Sequence, residues 1–263
     1  MSALDHGLTV GDGVFETLKV VDGTPFAMTR HLARLRRSAE VLDLRVPMDD
    51  AELRAAGAEL IDASRARRAE AGRLRITVTG GRGPLGSGRD HVEPTILLAT
   101  SEARPWPATA SVLTVPWVRN ERSAVAGAKT TSYADNVVAL AAAHAAGADE
   151  AIFANTVGAL CEGTGTNVFV VSGSRVRTPA LSSGCLAGVT RELLLEVIEC
   201  EETDELTLDQ LRGADEAFLT SSTRDVQAIA TVDGVAIGPA APGPHTAAAA
   251  VAFAAVQARS LDP

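Results

Sequence analysis

The side chain best suited to covalent chemistry is Lys129, in the stretch AVAGAKTTSYADN that spans residues 124–136. Lysine and arginine together number 24, and only Lys19 and Lys129 are lysines. Most surface lysines could become arginine at little cost. An amine that must lose its proton and attack a carbonyl could not, because a guanidinium stays protonated. Lys129 is therefore a candidate nucleophile, with an ordinary surface lysine as the alternative.

Two stretches in the second half of the chain could bind a phosphate group. In CLAGVTRELLLEVIEC, Gly188 and Thr190 lie where a loop enters a predicted helix, so free backbone amides and a hydroxyl point the same way. The stretch FLTSST, residues 218–223, ends a predicted strand with clustered hydroxyls. The alternatives are an ordinary helix cap and a simple turn.

Two charged residues, one acidic and one basic, are further candidates for cofactor binding. Glu162 lies in CEGTGTN, an apolar and glycine-flanked context in which a buried acid needs a partner. That partner is either a protonated ring nitrogen or an arginine from elsewhere in the chain. Arg34 lies in RHLARLRR, a predicted helix crowded with arginines, and its alternative role is on a solvated helix face.

Other common chemistries lack support in the sequence. GRGPLG, residues 81–86, matches G-x-G-x-x-G, but Pro84 and the following residues lead into a strand instead of the helix that a dinucleotide site needs. We interpret it as a loop near an active site. No G-x-S-x-G motif occurs, and no metal-ligand spacing appears among the histidines, which are His6, His31, His91, His144 and His245.

Composition limits the class of protein further. Hydrophobic residues make up 46% and charged residues 22%, as in globular proteins. A net charge of −9 argues against a nucleic acid or an anionic membrane as partner. The first residues resemble no signal peptide, and the late alanine-rich run is too short to span a bilayer. Three widely spaced cysteines fit a reduced cytoplasm, which is the location we expect: Cys161, Cys185 and Cys200.

Periodicity predicts an α+β chain of two domains, residues 1–105 and 106–263. The first half contains a hairpin turning at Asp22-Gly23, a helix with apolar positions at Leu32, Leu35 and Ala39, a second helix over 48–71 and two further strands. The second half begins with the helix ADNVVALAAAHAAGA and then alternates short strands with helices. We expect a capping box from Thr207 to Gln210, and a C-terminal helix capped by Thr246.

Together, these motifs resemble the fold-type IV family of pyridoxal-phosphate-dependent enzymes. That family includes branched-chain and D-amino-acid aminotransferases, (R)-selective amine transaminases and aminodeoxychorismate lyase. The resemblance covers nearly the whole chain, through blocks in the family's order: DHGLTVGDGVFETLKV, HLARLRRSA, AKTTSYADN, CEGTGTNVFVV, CLAGVTRE and FLTSSTRDVQAI. It implies a small N-terminal α/β domain and a larger, β-barrel-like C-terminal domain that carries the cofactor lysine.

The resemblance also implies a role for each matching residue. Lys129 is similar to the lysine that links covalently to pyridoxal 5'-phosphate. Glu162 matches the acid that pairs with the pyridine nitrogen, and Tyr133 is similar to a tyrosine near the phenolic oxygen. The phosphate would bind Arg34, Val189, Thr190 and Ser222. Phe15, Thr17 and Arg82 are expected to contact substrate.

The implied activity is amino-group transfer between a small amino acid or amine and a 2-keto acid. The alternative is aminodeoxychorismate lyase, which eliminates pyruvate and leaves 4-aminobenzoate. Thr17 favours the lyase or the D-amino-acid enzymes, since branched-chain enzymes typically have glycine there. Lys19 resembles the D-amino-acid enzymes, and the loop around Arg82 is loosely similar to lyases. We expect a homodimer by analogy, and no metal.

Overall fold

The computed structural model describes residues 1–64, 72–89 and 93–263. The chain divides into two compact units. The first comprises Met1–Pro105, Ala128–Tyr133 and Arg259–Pro263, and the second comprises Trp106–Gly127 and Ala134–Ala258. The units thus differ from a single division at residue 105, because two short segments that follow this residue belong to the first unit. One of these segments contains Lys129.

The first unit is an antiparallel sheet with helices. Its elements are α1 (His6–Thr9), β1 (Gly13–Val21), β2 (Thr24–Pro25), α2 (Met28–Val41), α3 (Asp50–Ala63), β3 (Gly72–Thr79) and β4 (Thr95–Glu102). The strand order is β2-β1-β3-β4. The predicted hairpin is confirmed, and Asp22 and Gly23 both have positive φ, as a tight two-residue turn requires. Residues 65–71 of the second predicted helix, and His91, lie outside the described residues.

The two faces of this sheet differ in chemistry. Even-numbered residues of β1 and β3 pack with α2 in a buried core that includes Val14, Leu18, Leu32, Leu35 and Leu74. Odd-numbered residues point to the other face because side chains alternate along a strand. That face carries Phe15, Thr17 and Lys19 on β1, paired in register with Thr77, Arg75 and Arg73 on β3.

The second unit is built on a larger mixed sheet. Its strands are β5 (Thr109–Arg119), β6 (Glu150–Asn155), β7 (Leu160–Gly163), β8 (Asn167–Ser172), β9 (Arg175–Pro179), β10 (Glu201–Thr203), β11 (Glu216–Ser221), β12 (Asp225–Val232) and β13 (Val235–Ala236). The order is β10-β9-β8-β11-β12-β5-β6-β7, with β13 paired to β12. The helices are α4 (Ala134–Ala145), α5 (Val189–Leu195), α6 (Leu208–Arg212) and α7 (Pro244–Arg259).

Helix ends confirm one sequence-based prediction and correct two others. The capping box at α6 is present, with Thr207 and Gln210 exchanging hydrogen bonds. Helix α5 ends at Leu195, earlier than the predicted run to Cys200. The prediction that Thr246 caps α7 is wrong. The carboxylate of Glu216 caps this helix instead, since it accepts hydrogen bonds from the backbone amides of His245 and Thr246.

Candidate functional site

The backbone around Lys129 is held by two elements of the first unit. The amide of Phe15 in β1 donates to the Lys129 carbonyl at 3.0 Å, and the amide of Thr131 donates to the Gly13 carbonyl at 2.8 Å. The Lys129 amide donates to the hydroxyl of Ser38 on α2 at 3.0 Å. This pairing across 91 positions of sequence is why the segment belongs to the first unit.

The Lys129 amine is surrounded by aromatic groups. Its Nζ lies 3.4 Å from the Tyr133 hydroxyl and 4.5 Å from the centroid of the Phe15 ring. The two rings meet edge to face, with centroids 5.2 Å apart. Within the described parts of the chain, no carboxylate forms an ion pair with this amine. The amine is therefore not held in a salt bridge, and a nucleophilic lysine requires an amine that is available to react.

A second cation, Arg75, shares this environment and was missed by the sequence reasoning. Its guanidinium carbon lies 3.7 Å from the centroid of the Phe15 ring, a cation–π contact. Its Nε donates to the Thr77 hydroxyl at 3.2 Å. No acidic side chain among the described residues pairs with it. The alternation of β3 could have placed Arg75 on the same face as Thr17, but only if the register with β1 had been known.

Arg34, predicted to bind phosphate, lies in a buried charge cluster. Its Nε and Nη2 donate to the two carboxylate oxygens of Glu16 at 2.8 and 2.7 Å. His31 Nδ1 lies 2.6 Å from the same carboxylate. Burial by itself raises the pKa of Glu16, but the charges and hydrogen bonds of Arg34 and His31 outweigh it and lower that pKa to about 2. Burial lowers the pKa of His31 despite the opposing effect of Glu16.

The three residues predicted to contact substrate differ in their position relative to Lys129. Phe15 lies beside Lys129, and Thr17 lies directly opposite Arg75 in the sheet. Arg82 forms an isolated β-bridge with Asp5 at the end of the sheet, and it is exposed. The structure thus brings Phe15, Tyr133 and Lys129 together. It gives Arg82 no contact with them.

In the second unit, Glu162 is held on both carboxylate oxygens. Arg119 Nε donates to Oε1 at 3.1 Å, and the backbone amide of Leu186 donates to Oε2 at 2.9 Å. The Arg119 guanidinium also lies over the Phe153 ring, 4.2 Å from its centroid. An arginine partner and a backbone donor both favour the ionised form of a carboxylate. The two contacts thus fix the orientation of the Glu162 carboxylate.

The start of α5 offers backbone donors. Its N-cap residue is Gly188, which has no side chain that could cap the helix. Val189 and Thr190 are buried at the first turn. A Cβ on Gly188 would lie 2.0 Å from Asn167 Oδ1, so only glycine allows this approach. Asn167 fixes the loop in turn, because its side-chain amide donates to the Leu186 carbonyl at 2.8 Å.

Ser222 follows β11 on the turn into β12, and a buried hydroxyl precedes it. Thr220 lies opposite Asn167 in the register of β11 and β8. It is 1% exposed, and its Oγ1 has no hydrogen-bond partner among the described residues. A buried polar atom without a partner carries a free-energy cost that a ligand could remove. Backbone amides and hydroxyls are the donors that a phosphate group needs, so these residues of the second unit fit the phosphate of pyridoxal phosphate.

Two negative findings apply to the described ranges alone. No group of histidine, cysteine, aspartate and glutamate side chains there could hold a metal ion. No helix there has both the length and the apolar character to cross a membrane.

Comparison with known proteins identifies the family. The family model for amino-transferase class IV matches residues 13–232. The D-alanine aminotransferase of Bacillus licheniformis is 32% identical, over 92% of this chain and 86% of that protein. A branched-chain-amino-acid aminotransferase of Pseudomonas aeruginosa is 30% identical, over 92% and 83%. The aminodeoxychorismate lyase of Bacillus subtilis is 29% identical, over 90% and 83%.

Solved structures agree with this assignment. The fold IV-transaminase CpuTA1 from Curtobacterium pusillum superposes with a TM-score of 0.85 and is 32% identical, covering 99% of this chain and 91% of that one. The branched-chain aminotransferase of the archaeon Thermoproteus uzoniensis, solved with norvaline, gives 0.88 at 27% identity, covering 97% and 89%. The chain belongs to the class IV aminotransferase family of pyridoxal-phosphate-dependent enzymes, and the predicted fold-type IV, two-domain α+β architecture is confirmed.

Proposed function

We propose that the chain is an aminotransferase that moves an amino group between a small amino acid or amine and a 2-keto acid. The observation that carries the proposal is the Lys129 amine, which lies between the Phe15 ring and the Tyr133 hydroxyl without an acidic partner among the described residues. An amine in such a place can act as nucleophile and then as proton carrier.

We assign pyridoxal 5'-phosphate as the cofactor. When bound, this group supplies an electron sink for the negative charge that develops on the substrate carbon. Glu162, held as a carboxylate by Arg119 and the Leu186 amide, would pair with the ring nitrogen and keep it protonated. The Tyr133 hydroxyl would donate to the phenolic oxygen.

We assign phosphate binding to the residues that the family resemblance gives. The uncapped amides of Val189 and Thr190 and the hydroxyl of Ser222 would donate to phosphate oxygens. Arg34, already held by Glu16 in a fixed orientation, would contribute its charge. This assignment follows the family resemblance residue by residue.

The position of Arg75 favours a substrate that carries a carboxylate. It lies over the Phe15 ring, and the described residues provide no acid for it. A planar guanidinium binds a carboxylate through two parallel hydrogen bonds, which fixes the orientation of the substrate. Thr17, directly opposite in the sheet, would add a hydroxyl. We assign substrate-carboxylate binding to Arg75. Arg82, in the loop that is loosely similar to lyases, stays a second candidate for substrate contact, as the resemblance suggests.

Aminodeoxychorismate lyase is the second candidate function. The observations that favour it are the similarity to the Bacillus subtilis lyase and the presence of Thr17 on β1. In both functions Lys129 would carry the proton, so the difference is in the substrate. A homodimer and a cytoplasmic location stay predictions.

The test begins with the absorption spectrum of the purified holoprotein. Covalent attachment of the cofactor to Lys129 would give a band at about 410 nm that borohydride bleaches. The protein is then incubated with D-alanine, a branched-chain L-amino acid or an (R)-amine, each with 2-oxoglutarate, and separately with aminodeoxychorismate. Transfer to the keto acid supports the aminotransferase. Release of pyruvate and 4-aminobenzoate from aminodeoxychorismate, with no transfer, would replace it by the lyase.

A variant tests the carboxylate assignment. Arg75→Gln should raise KM for a 2-keto acid by about tenfold to a hundredfold, because a charge-assisted pair is lost. Arg73→Gln, on the same face of β3, is the matched control and should change KM little. Equal effects of the two variants would contradict the assignment.

A further inference from the structure

The second unit contains a buried carboxylate outside the residues assigned above. Glu150, the first residue of β6, is 1% exposed. Its Oε1 accepts a hydrogen bond from the Thr164 amide at 3.1 Å, and also contacts the Thr164 hydroxyl. Its Oε2 accepts from Arg224 Nη2 at 3.1 Å. Glu150 therefore joins a strand to two separate loops.

Arg224 is unusual for an arginine in a hairpin turn. It lies in the turn between β11 and β12, yet its side chain is only 7% exposed because it folds inward to Glu150. Nη1 donates to Gln227 Oε1 at 2.9 Å, and the guanidinium lies over the Trp106 ring, 3.9 Å from its centroid. The Arg224 amide donates to the Ser221 hydroxyl at 3.2 Å. The Arg224 side chain thus anchors the turn to Glu150 and Gln227, while its amide anchors the turn to Ser221.

The two loops joined by Glu150 flank residues of the proposed cofactor site. One begins at Thr164, directly after the strand that carries Glu162. The other contains Ser222, directly after β11. The register that pairs Thr220 with Asn167 places both loops at the same end of the sheet. Glu150 therefore links the two loops directly, through Thr164 in one and Arg224 in the other.

The energetics argue for a role beyond stability. Removing two charges from water is costly, so a buried ion pair contributes little net stability and can be replaced by apolar residues. Fixed geometry is the benefit such a pair offers. The pair anchors a half-buried turn, and that turn contains Ser222, whose hydroxyl we assign to phosphate binding.

We propose that the Glu150–Arg224 ion pair is a positioning device that holds the Ser222 turn in the geometry that binds the cofactor phosphate. The inference rests on the proposed function, since it requires that pyridoxal phosphate binds here. Neither residue is assigned a contact with substrate or cofactor. Their effect is exerted through the turn.

The experiment compares two ligands that differ only by the phosphate. Dissociation constants of pyridoxal phosphate and of pyridoxal are measured by absorption titration of the apoprotein for wild type, Glu150→Gln, Arg224→Gln and Arg224→Lys. We expect the two glutamine variants to weaken pyridoxal phosphate binding by about tenfold to a hundredfold and to leave pyridoxal binding within about twofold. Arg224→Lys, which keeps the charge, should recover part of the loss.

A matched control and the contrary outcomes complete the design. Arg212→Gln removes an exposed arginine of the same unit that pairs with Asp209 and Asp233, and it should change neither constant. If the glutamine variants weaken both ligands equally, or neither, the positioning role is wrong. If Glu150→Gln does not fold, Arg224→Lys alone decides, by its ratio of the two constants. Failure of wild type to bind pyridoxal phosphate would instead contradict the proposed function.

Discussion

The two units of this chain use charged side chains in opposite ways. In the first unit, Lys129 and Arg75 lie beside the same aromatic ring, and no acid among the described residues neutralises either one. In the second unit, Glu162 and Glu150 each accept hydrogen bonds on both carboxylate oxygens. These two cations of the first unit have no acidic partner among the described residues, whereas these two anions of the second unit are held in place by hydrogen bonds.

The contrast indicates that the cations of the first unit and the acids of the second have different roles: the cations would react with or bind a ligand, and the acids are held in a fixed geometry. A nucleophilic amine and a carboxylate-binding guanidinium lose their use when a protein acid pairs with them. An acid that must stay ionised gains from such partners, since each one favours its charged form. The first unit also contains a fully paired acid, Glu16, which binds Arg34 and His31 on the core face of the sheet. Within the first unit, therefore, Arg34 is paired with an acid, whereas Lys129 and Arg75 are not paired with any acid among the described residues.

The largest effect is expected at the open amine. Lys129→Arg keeps the positive charge but cannot form the covalent link. The band at about 410 nm should therefore disappear, and turnover should fall about a thousandfold or more. Lys19→Arg, at the other lysine of the chain, is the control and should retain both. A coloured and active Lys129→Arg protein would remove the contrast between the units.

The next effect is expected at the fixed acid of the second unit. Glu162→Gln keeps the shape and an acceptor for the Leu186 amide but loses the negative charge. The cofactor should remain bound while the proton-transfer step slows about a hundredfold, as single-turnover absorption measurements would report. Glu121→Gln, which alters a carboxylate bonded to Thr156, is the control. An unchanged rate in Glu162→Gln would leave that carboxylate without its proposed role.

The paired acid of the first unit predicts a pH dependence. The pKa of Glu16 is lowered to about 2, so its contribution to stability is complete above its ordinary pKa of 4.5 and is lost as the pH falls from there through about 2. Glu16→Gln should cost about 3 kcal/mol in the free energy of unfolding at neutral pH. Urea unfolding of both proteins should show that this difference narrows below pH 4.5. A difference independent of pH would mean that Glu16 acts by shape alone.

The smallest effects concern the helix caps of the two units. The N-cap of α2, Ala27, has no side-chain hydrogen bond, and Asp262 substitutes for it by accepting from the Thr29 amide and hydroxyl at 2.7 Å each. Asp262→Ala and Thr207→Ala should each lower stability by about 1 kcal/mol in thermal unfolding. Glu199→Ala, at an exposed position, should be neutral. A neutral Asp262→Ala would show that α2 needs no cap.

Local signals made part of this molecule predictable. The Asp22-Gly23 hairpin and the capping box at Thr207 depend on residues a few positions apart, and both are present. The family and fold followed from blocks of sequence in a fixed order. The prediction for the start of α7 failed because its cap, Glu216, is 29 residues from His245. A distant carboxylate can cap a helix as well as a local hydroxyl, and no local pattern reveals it.

The candidate site was predictable in residue type but not in partnership. Lys129 was identified because arginine cannot replace a nucleophilic amine. Its neighbours Phe15 and Tyr133 were identified only through the resemblance. Arg75 was missed because many arginines precede it in the sequence, and nothing local separates a guanidinium that lies over an aromatic ring from one in solvent.

The sequence by itself determined which groups are available for chemistry, since an amine, an acid and loops rich in glycine and hydroxyls are fixed by residue type and order. Tertiary structure decided which of its charges are neutralised. Arg119 reaches Glu162 across 43 positions, and Arg224 reaches Glu150 across 74. Electrostatic interaction depends on distance in space and on burial, and neither quantity is written in the order of the residues.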